Sequence, residues 1–335
     1  MELRKERIDR GIKARCEDIY ALLSLKEIFY VIGPKSLFVI FLLLIPLLRP
    51  FIGDYWERVF FITCLMALLS ISWELLFSIG LVSLGQALLF GVGAYLSSIF
   101  NTRFHFPVFL SVLLASLSGG FFCALILFPA SRIKGIYFSM ITLCIPILLC
   151  NVIKATGILG GTSGISGVGS IGNYYLELFI PSLILMITVF SLRRFMDTDT
   201  GMLIRGIKHN EFSLMTSGIN VPKLKFWTIF FAAVIGSFSG SYVAHYYQFV
   251  GISAFSLDYS IIPLACSILG GINGFFGSIT GAFIICPLSE ILREAGTLRI
   301  VIYSSILIIF ILFVPEGIFS YLSRKYHQLE RWKEI

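Results

Sequence analysis

Glu74 is a carboxylate inside an apolar run, Val59 to Ile79, that is otherwise fit to cross a bilayer. A charge at the centre of such a span costs about 2.5–3.5 kcal/mol on insertion scales and marks an ion or proton site by default. The competing account is a paired or interfacial Glu near the inner end of its helix. Ser83 and Gln86 follow in a segment rich in glycine. Their hydroxyl and carboxamide could hydrogen-bond a polar solute or a neighbouring helix, while Gly85 and Gly91 permit a break or a close helix approach. A second cluster, Gly270, Gly271, Asn273 and Gly274, interrupts another apolar region. Interrupted helices at membrane depth need protein or water around them, so these residues are candidates for a translocation pathway. Bond-breaking chemistry finds no support. There is no Ser/His/Asp or paired-acid arrangement, and His105 and His245 have no partners at metal-ligand spacing. No G-x-x-x-x-G-K-[ST] run is present, so ATP phosphates cannot be cradled by that route. No catalytic residue, metal or cofactor is expected.

The longest polar interruption runs from Arg193 to Lys225 and carries Arg193, Arg194, Arg205, Lys208, Lys223 and Lys225. The positive-inside bias places it in the cytoplasm. Asp197, Thr198, Asp199 or Thr200 could cap a helix from about Met202 to Ser217. Gly218 stands where a helix end wants left-handed geometry, and Pro222 blocks continuation until the apolar run at Phe226. Such a helix is either a connector that sets topology or a surface through which a soluble partner moves the membrane domain.

These sites need a membrane scaffold. The 335 residues are 57% hydrophobic and 13% charged, with a mean hydropathy of +0.90. Soluble domains are about 45–50% apolar and about 25% charged. The expected class is an all-α, polytopic integral membrane protein. Spans of about 20 residues are expected at 31–48, 59–79, 80–100, 107–128, 135–153, 174–192, 226–249 and 300–314, with a broken pair across 259–290. The total is about ten, some short or broken, which puts both termini in the cytoplasm. The third span and the broken pair could each be re-entrant. Residues 1–30 mix charge with Ile8, Ile12, Ile19, Leu22 and Leu23, giving either an amphipathic surface helix or a plain tail. A transmembrane domain is expected over 31–318, with its cytoplasmic loop at 193–225, and a cytoplasmic tail over 319–335. No secretory signal peptide is expected, since about thirty mixed residues precede the first apolar run. The net charge of +7 is spread over loops and ends, which reads as topology rather than nucleic-acid binding. The seven cysteines lie mostly in apolar runs without a C-x-x-C pair and read as small hydrophobes.

The run G-M-L-I-R-G-I-K-H-N-E-F-S-L-M-T-S-G-I-N, from Gly201, resembles the cytoplasmic signature of permease subunits of branched-chain amino-acid ABC importers, LivM type. Gly201, Arg205, Ile207, Asn210, Glu211, Gly218, Ile219 and Asn220 fit the pattern; His209 and Met202 depart from it. V-S-L-G-Q-A-L-L-F-G-V-G-A-Y, Val82 to Tyr95, resembles a second block of that family, with Leu81 where a Gln is usual and Gln86 where a His is usual. Softer, glycine-rich matches lie at Lys134–Leu143, Gly160–Gly167, Leu269–Ala282 and Val314–Ile318. The resemblance covers the chain from about Ser72 onward.

The resemblance implies an importer permease in the bacterial inner membrane. Its implied partners are two ATPase subunits, a second permease (a paralogue or a second copy), a periplasmic or lipid-anchored solute-binding protein, and membrane lipid. It implies that Gly201, Arg205, Asn210, Glu211 and Gly218 belong to an ATPase-coupling helix. Branched-chain amino acids are the default solute, with Leu81 and Gln86 leaving other small polar solutes open. The rival is a self-sufficient secondary transporter or channel using Glu74.

Overall fold

The computed structural model describes residues 53–133, 135–272 and 274–292, with 296, 305, 308 and 317. The N-terminal segment 1–30, the expected span 31–48, all of the expected span 300–314 but 305 and 308, Asn273, the tail 319–335 and both termini lie outside the described residues.

Apolar runs become helices: α1 (Asp54–Ser78), α2 (Gln86–Thr102), α3 (Val108–Ala130), α4 (Ile136–Thr156) and α5 (Tyr174–Met196). Then come α6 (Asp199–Thr216), α7 (Val221–Tyr247), α8 (Asp258–Gly270) and α9 (Phe275–Ile291). Five of them, α1, α3, α4, α5 and α7, are long and apolar enough to cross a membrane. The pair α8 and α9 bends by 116° at its break. α2 has 17 residues, about 25 Å of helix, short of a hydrocarbon core of about 30 Å. α1 is the axis of the bundle: 94% of its apolar window is buried, against 28% for α4. Around α1 pack α7, α9, α8 and α5, while α2 and α3 lie against α7.

The ends of the helices sort onto two faces. On one, the turn after α1 meets α6: a side chain at Gly80 would touch Lys208. On the other, Asn101 at the end of α2 accepts the Gly169 N–H at 2.7 Å. There β1 (Ile165–Ser166) pairs antiparallel with β2 (Phe249–Val250), fixing the glycine-rich loop after α4 to the end of α7. His245 binds both Ser97 Oγ and the Gly169 carbonyl at 2.7 Å on that side. Arg132, Arg193, Arg194, Arg205, Lys208, Lys223 and Lys225 fall on the α6 face, Arg58, Arg103 and Lys154 on the other.

Three expected boundaries move by five residues or more. α1 begins at Asp54, not Val59. The third span begins at Gln86, not Gly80, because residues 81–85 are held outside the helix. α7 begins at Val221, not Phe226: Asn220 Oδ1 accepts the Lys223 N–H at 3.1 Å, and Pro222 sits in the first turn, where its missing N–H is harmless.

Candidate functional site

On the α6 face, neighbours hold the approach to α2 in place. Trp73 Nε1 donates to the Ser83 carbonyl at 2.7 Å, and Ser139 Oγ donates to the Val82 carbonyl at 2.6 Å. The Leu84 N–H reaches Thr142 Oγ1 at 3.0 Å, the Gly85 N–H reaches Ser83 Oγ at 3.1 Å, and the Ala87 N–H reaches Ser260 Oγ at 3.0 Å. Non-helical backbone at membrane depth is tolerated only when satisfied in this way. Gly85 is required because a Cβ there would collide with the Thr142 carbonyl of α4, and at Gly91 it would strike the Phe255 ring. Gln86 opens α2 fully buried. Its Oε1 lies 3.3 Å from Ser72 Oγ, whose own hydrogen has a better acceptor in the Ala232 carbonyl at 2.7 Å. Its Nε2 has no partner among the described residues. Turning the amide round would pair Nε2 with Ser72 and strand Oε1 instead, so half of the carboxamide stays unpaired either way.

The second break is the tip of a V-shaped hairpin. α8 and α9 touch backbone to backbone: a side chain at Gly270 would meet the Gly277 carbonyl, and one at Gly281 the Cys266 carbonyl. Gly271 turns the chain with φ +110°. Glu74, 5% exposed, reaches this tip from α1. Its Oε2 accepts from Ser278 Oγ at 2.5 Å, and the carboxylate also accepts the Gly274 N–H. Ser278 lies 3.1 Å from Ser267 Oγ, which donates to the Ser70 carbonyl at 3.1 Å. The carboxylate thus meets the first turn of α9, where exposed amide groups and the helix dipole favour a negative charge. Its partner Ser278 stands 204 residues along the chain, so sequence reading missed it.

α6 is capped at both ends. Thr198 Oγ1 accepts the Gly201 N–H at 3.4 Å. Gly201 is buried where a side chain would strike the Met196 backbone at the end of α5. At the far end Gly218, φ +82°, donates its N–H to the Met215 carbonyl at 3.1 Å, and the Ile219 N–H reaches the Leu214 carbonyl at 3.1 Å. The expected uninterrupted helix is in fact broken at Asn210 (φ −154°, ψ 92°). Asn210 caps the second piece, accepting the Ser213 N–H at 3.1 Å. Glu211 turns inward and pairs with Lys225 of α7 at 2.7 Å. Arg205 is exposed, as are Met202 (59%), Phe212 (75%) and Met215 (44%). The Lys208 ammonium lies 3.7 Å from the centre of the Phe77 ring. Partial burial moves its pKa below the ordinary lysine range, against an opposing pull from the Glu74 charge.

Glu211→Ala should leave the Lys225 ammonium, 8% exposed, without that carboxylate. The cost should be about 2–3 kcal/mol, below that of a fully buried pair. Limited proteolysis should then cut faster between α6 and α7.

Residues 55–315 match the family described as "Branched-chain amino acid transport system / permease component". The chain belongs to this family. All the candidate residues lie within the matched stretch of this branched-chain amino acid permease family. The high-affinity branched-chain amino acid transport system permease proteins LivM of Salmonella typhimurium and Escherichia coli are each 22% identical over 71% of the chain. The chain spans only 64% of the length of either relative. A probable LivM permease of Methanocaldococcus jannaschii is 26% identical over 48% of the chain and 49% of its own length. No solved structure matches. Membership, with five spanning-capable helices, makes this a multi-pass protein of the inner membrane.

Proposed function

We propose that this chain is the membrane subunit of an ATP-driven importer, carrying a small polar solute by alternating access. The observation that carries this reading is α6. It is a helix outside the spans, capped at both ends, packed against the central α1, and it leaves Phe212 and Met215 bare. An apolar residue 75% exposed beside basic residues on a polar helix suits a protein partner, the class of anchor that dominates binding energy when buried. In this reading two ATPase subunits dock there, and ATP-driven closure displaces α6. The α6 face is cytoplasmic, consistent with its basic residues. A second permease, a paralogue or a copy, and an external solute-binding protein complete the assembly. The hairpin α8–α9 is re-entrant, and about ten membrane segments in all put both termini inside. Ser83, Gly85, Gln86, Gly91 and the tip at Gly270–Gly271 line or border the path. The half-unpaired Gln86 amide is the group best placed to meet a solute's polar atoms. Branched-chain amino acids are the default cargo.

Purification of the tagged chain from its native membrane in mild detergent tests this. An ATPase and a second permease should co-purify at comparable stoichiometry, with nucleotide hydrolysis. A lone, folded chain without hydrolysis would replace this reading with an ion-driven transporter in which Glu74 is the ion site. Phe212→Asp should lower recovery of the ATPase by about tenfold or more, the scale of a lost apolar anchor, with the permease still inserted.

A further inference from the structure

α6 is covalently joined to α5 and α7, so its packing on those two follows from connectivity. Its contact with α1 does not. That contact centres on Lys208. The Lys208 backbone lies over Gly80, where a side chain would meet its Cα at 3.5 Å. Its ammonium lies on the Phe77 ring. Phe77 in turn stacks on Trp73, with ring centres 5.3 Å apart and planes 16° apart. The Trp73 indole N–H holds the Ser83 carbonyl in the non-helical approach to α2. One residue along α1, Glu74 holds Ser278 and the Gly274 N–H at the hairpin tip. A single lysine on α6 therefore rests, through a ring stack, on the stretch of α1 that holds both helix interruptions, Trp73 at the approach to α2 and Glu74 at the hairpin tip.

We propose that Lys208 is the positioning residue through which movement of α6 is passed to the start of α2 and to the α8–α9 tip. This rests on the coupling role proposed for α6. When α6 shifts, the cation leaves the Phe77 face, and the stretch of α1 from Trp73 to Phe77 that holds both interruptions is released, so the two loosen in concert. A cation on an aromatic face is a graded contact whose strength depends on geometry, and a planar guanidinium can replace the ammonium there.

The test uses the complete complex in proteoliposomes with its solute-binding protein, comparing wild type with Lys208→Met, Lys208→Arg and Phe77→Leu. Three quantities are read: subunit stoichiometry, ATP hydrolysis, and solute moved per ATP. Lys208→Met should assemble and hydrolyse ATP while moving about tenfold less solute per ATP, the scale of a lost cation–π contact. Lys208→Arg should recover most of the ratio, which a purely space-filling role would not require. A wild-type ratio in Lys208→Met would overturn the assignment. If Lys208→Met fails to assemble, Phe77→Leu decides, since it removes the ring and leaves the surface of α6 intact. A normal ratio there overturns the assignment, and a fall of similar size supports it. Absence of any ATPase from the wild-type preparation would instead overturn the coupling role of α6 itself.

Discussion

Gly240→Val is expected to leave no folded permease. α2 and α7 pack at backbone contact along one seam. A Cβ at Gly240 would strike the Phe90 carbonyl and come within 2.6 Å of its carbon. One turn away the relation is reversed: a Cβ at Gly93 would strike the Ser237 carbonyl and lie 2.6 Å from its Cα. Ser237 Oγ donates across the same seam to the Leu89 carbonyl at 3.2 Å. Overpacking a core usually costs about 1–3 kcal/mol because side chains can yield. Here the obstacle is backbone inside a helix, so α2 must move away from α7 along its length. Lipid supplies no hydrophobic drive to bring them back together, since association in a bilayer relies on this kind of close packing. Size-exclusion chromatography of the purified protein should show aggregate for Gly240→Val and a reduced monodisperse peak for Gly240→Ala. Gly274→Ala is the control. Its φ of −167° is ordinary extended backbone, nothing lies within 4 Å of its Cβ position, and the N–H that meets Glu74 is kept. It should purify like wild type.

That seam was written in the sequence as Gly236-Ser-Phe-Ser-Gly240, the small-residue spacing that lets helices approach closely. The spacing alone does not say which helix those glycines face. The spans themselves were legible for a simple reason: a run long and apolar enough to cross a bilayer must be a helix. The ends of α6 were legible too: Gly218 acts within its own few residues, and Thr198 is one of the four adjacent residues able to cap its start. What stayed hidden depends on distant contacts. Residues 81–85 have ordinary composition, and only hydrogen bonds from Trp73, Ser139 and Thr142 keep them out of α2. The break at Asn210 was the intermediate case. An Asn inside a helical pattern is a recognised competitor for backbone amides. But that Asn210 caps the Ser213 N–H, beside a Glu211 paired with Lys225 14 residues on, is set by the fold. Glu74 shows the same limit from the functional side: its position marks it out, while its partner, and so its role, is set by the fold.

Gly218→Val should be the most damaging change for transport that leaves insertion intact. At φ +82° with nothing within 4 Å of its Cβ position, Gly218 is needed for its backbone and not for lack of space. A residue with a Cβ in the left-handed region costs about 1–2 kcal/mol, and a β-branched one is a true outlier there. The chain can relieve the strain by unwinding the last turn of α6, which releases the Gly218 and Ile219 N–H bonds to Met215 and Leu214. That turn carries Met215 and adjoins Phe212, the bare apolar residues assigned to the partner surface. Local strain would then become a misplaced docking face, while α1 to α5 and α7 keep their packing. Uptake in cells should fall by about tenfold or more, with membrane levels of the permease near normal. Gly218→Asn should retain much more activity, because asparagine tolerates the left-handed region. If Gly218→Val transported normally, the geometry of this helix end would have no part in coupling. The docking surface would then have to lie before the break at Asn210, on the piece of α6 that holds Lys208 and Arg205.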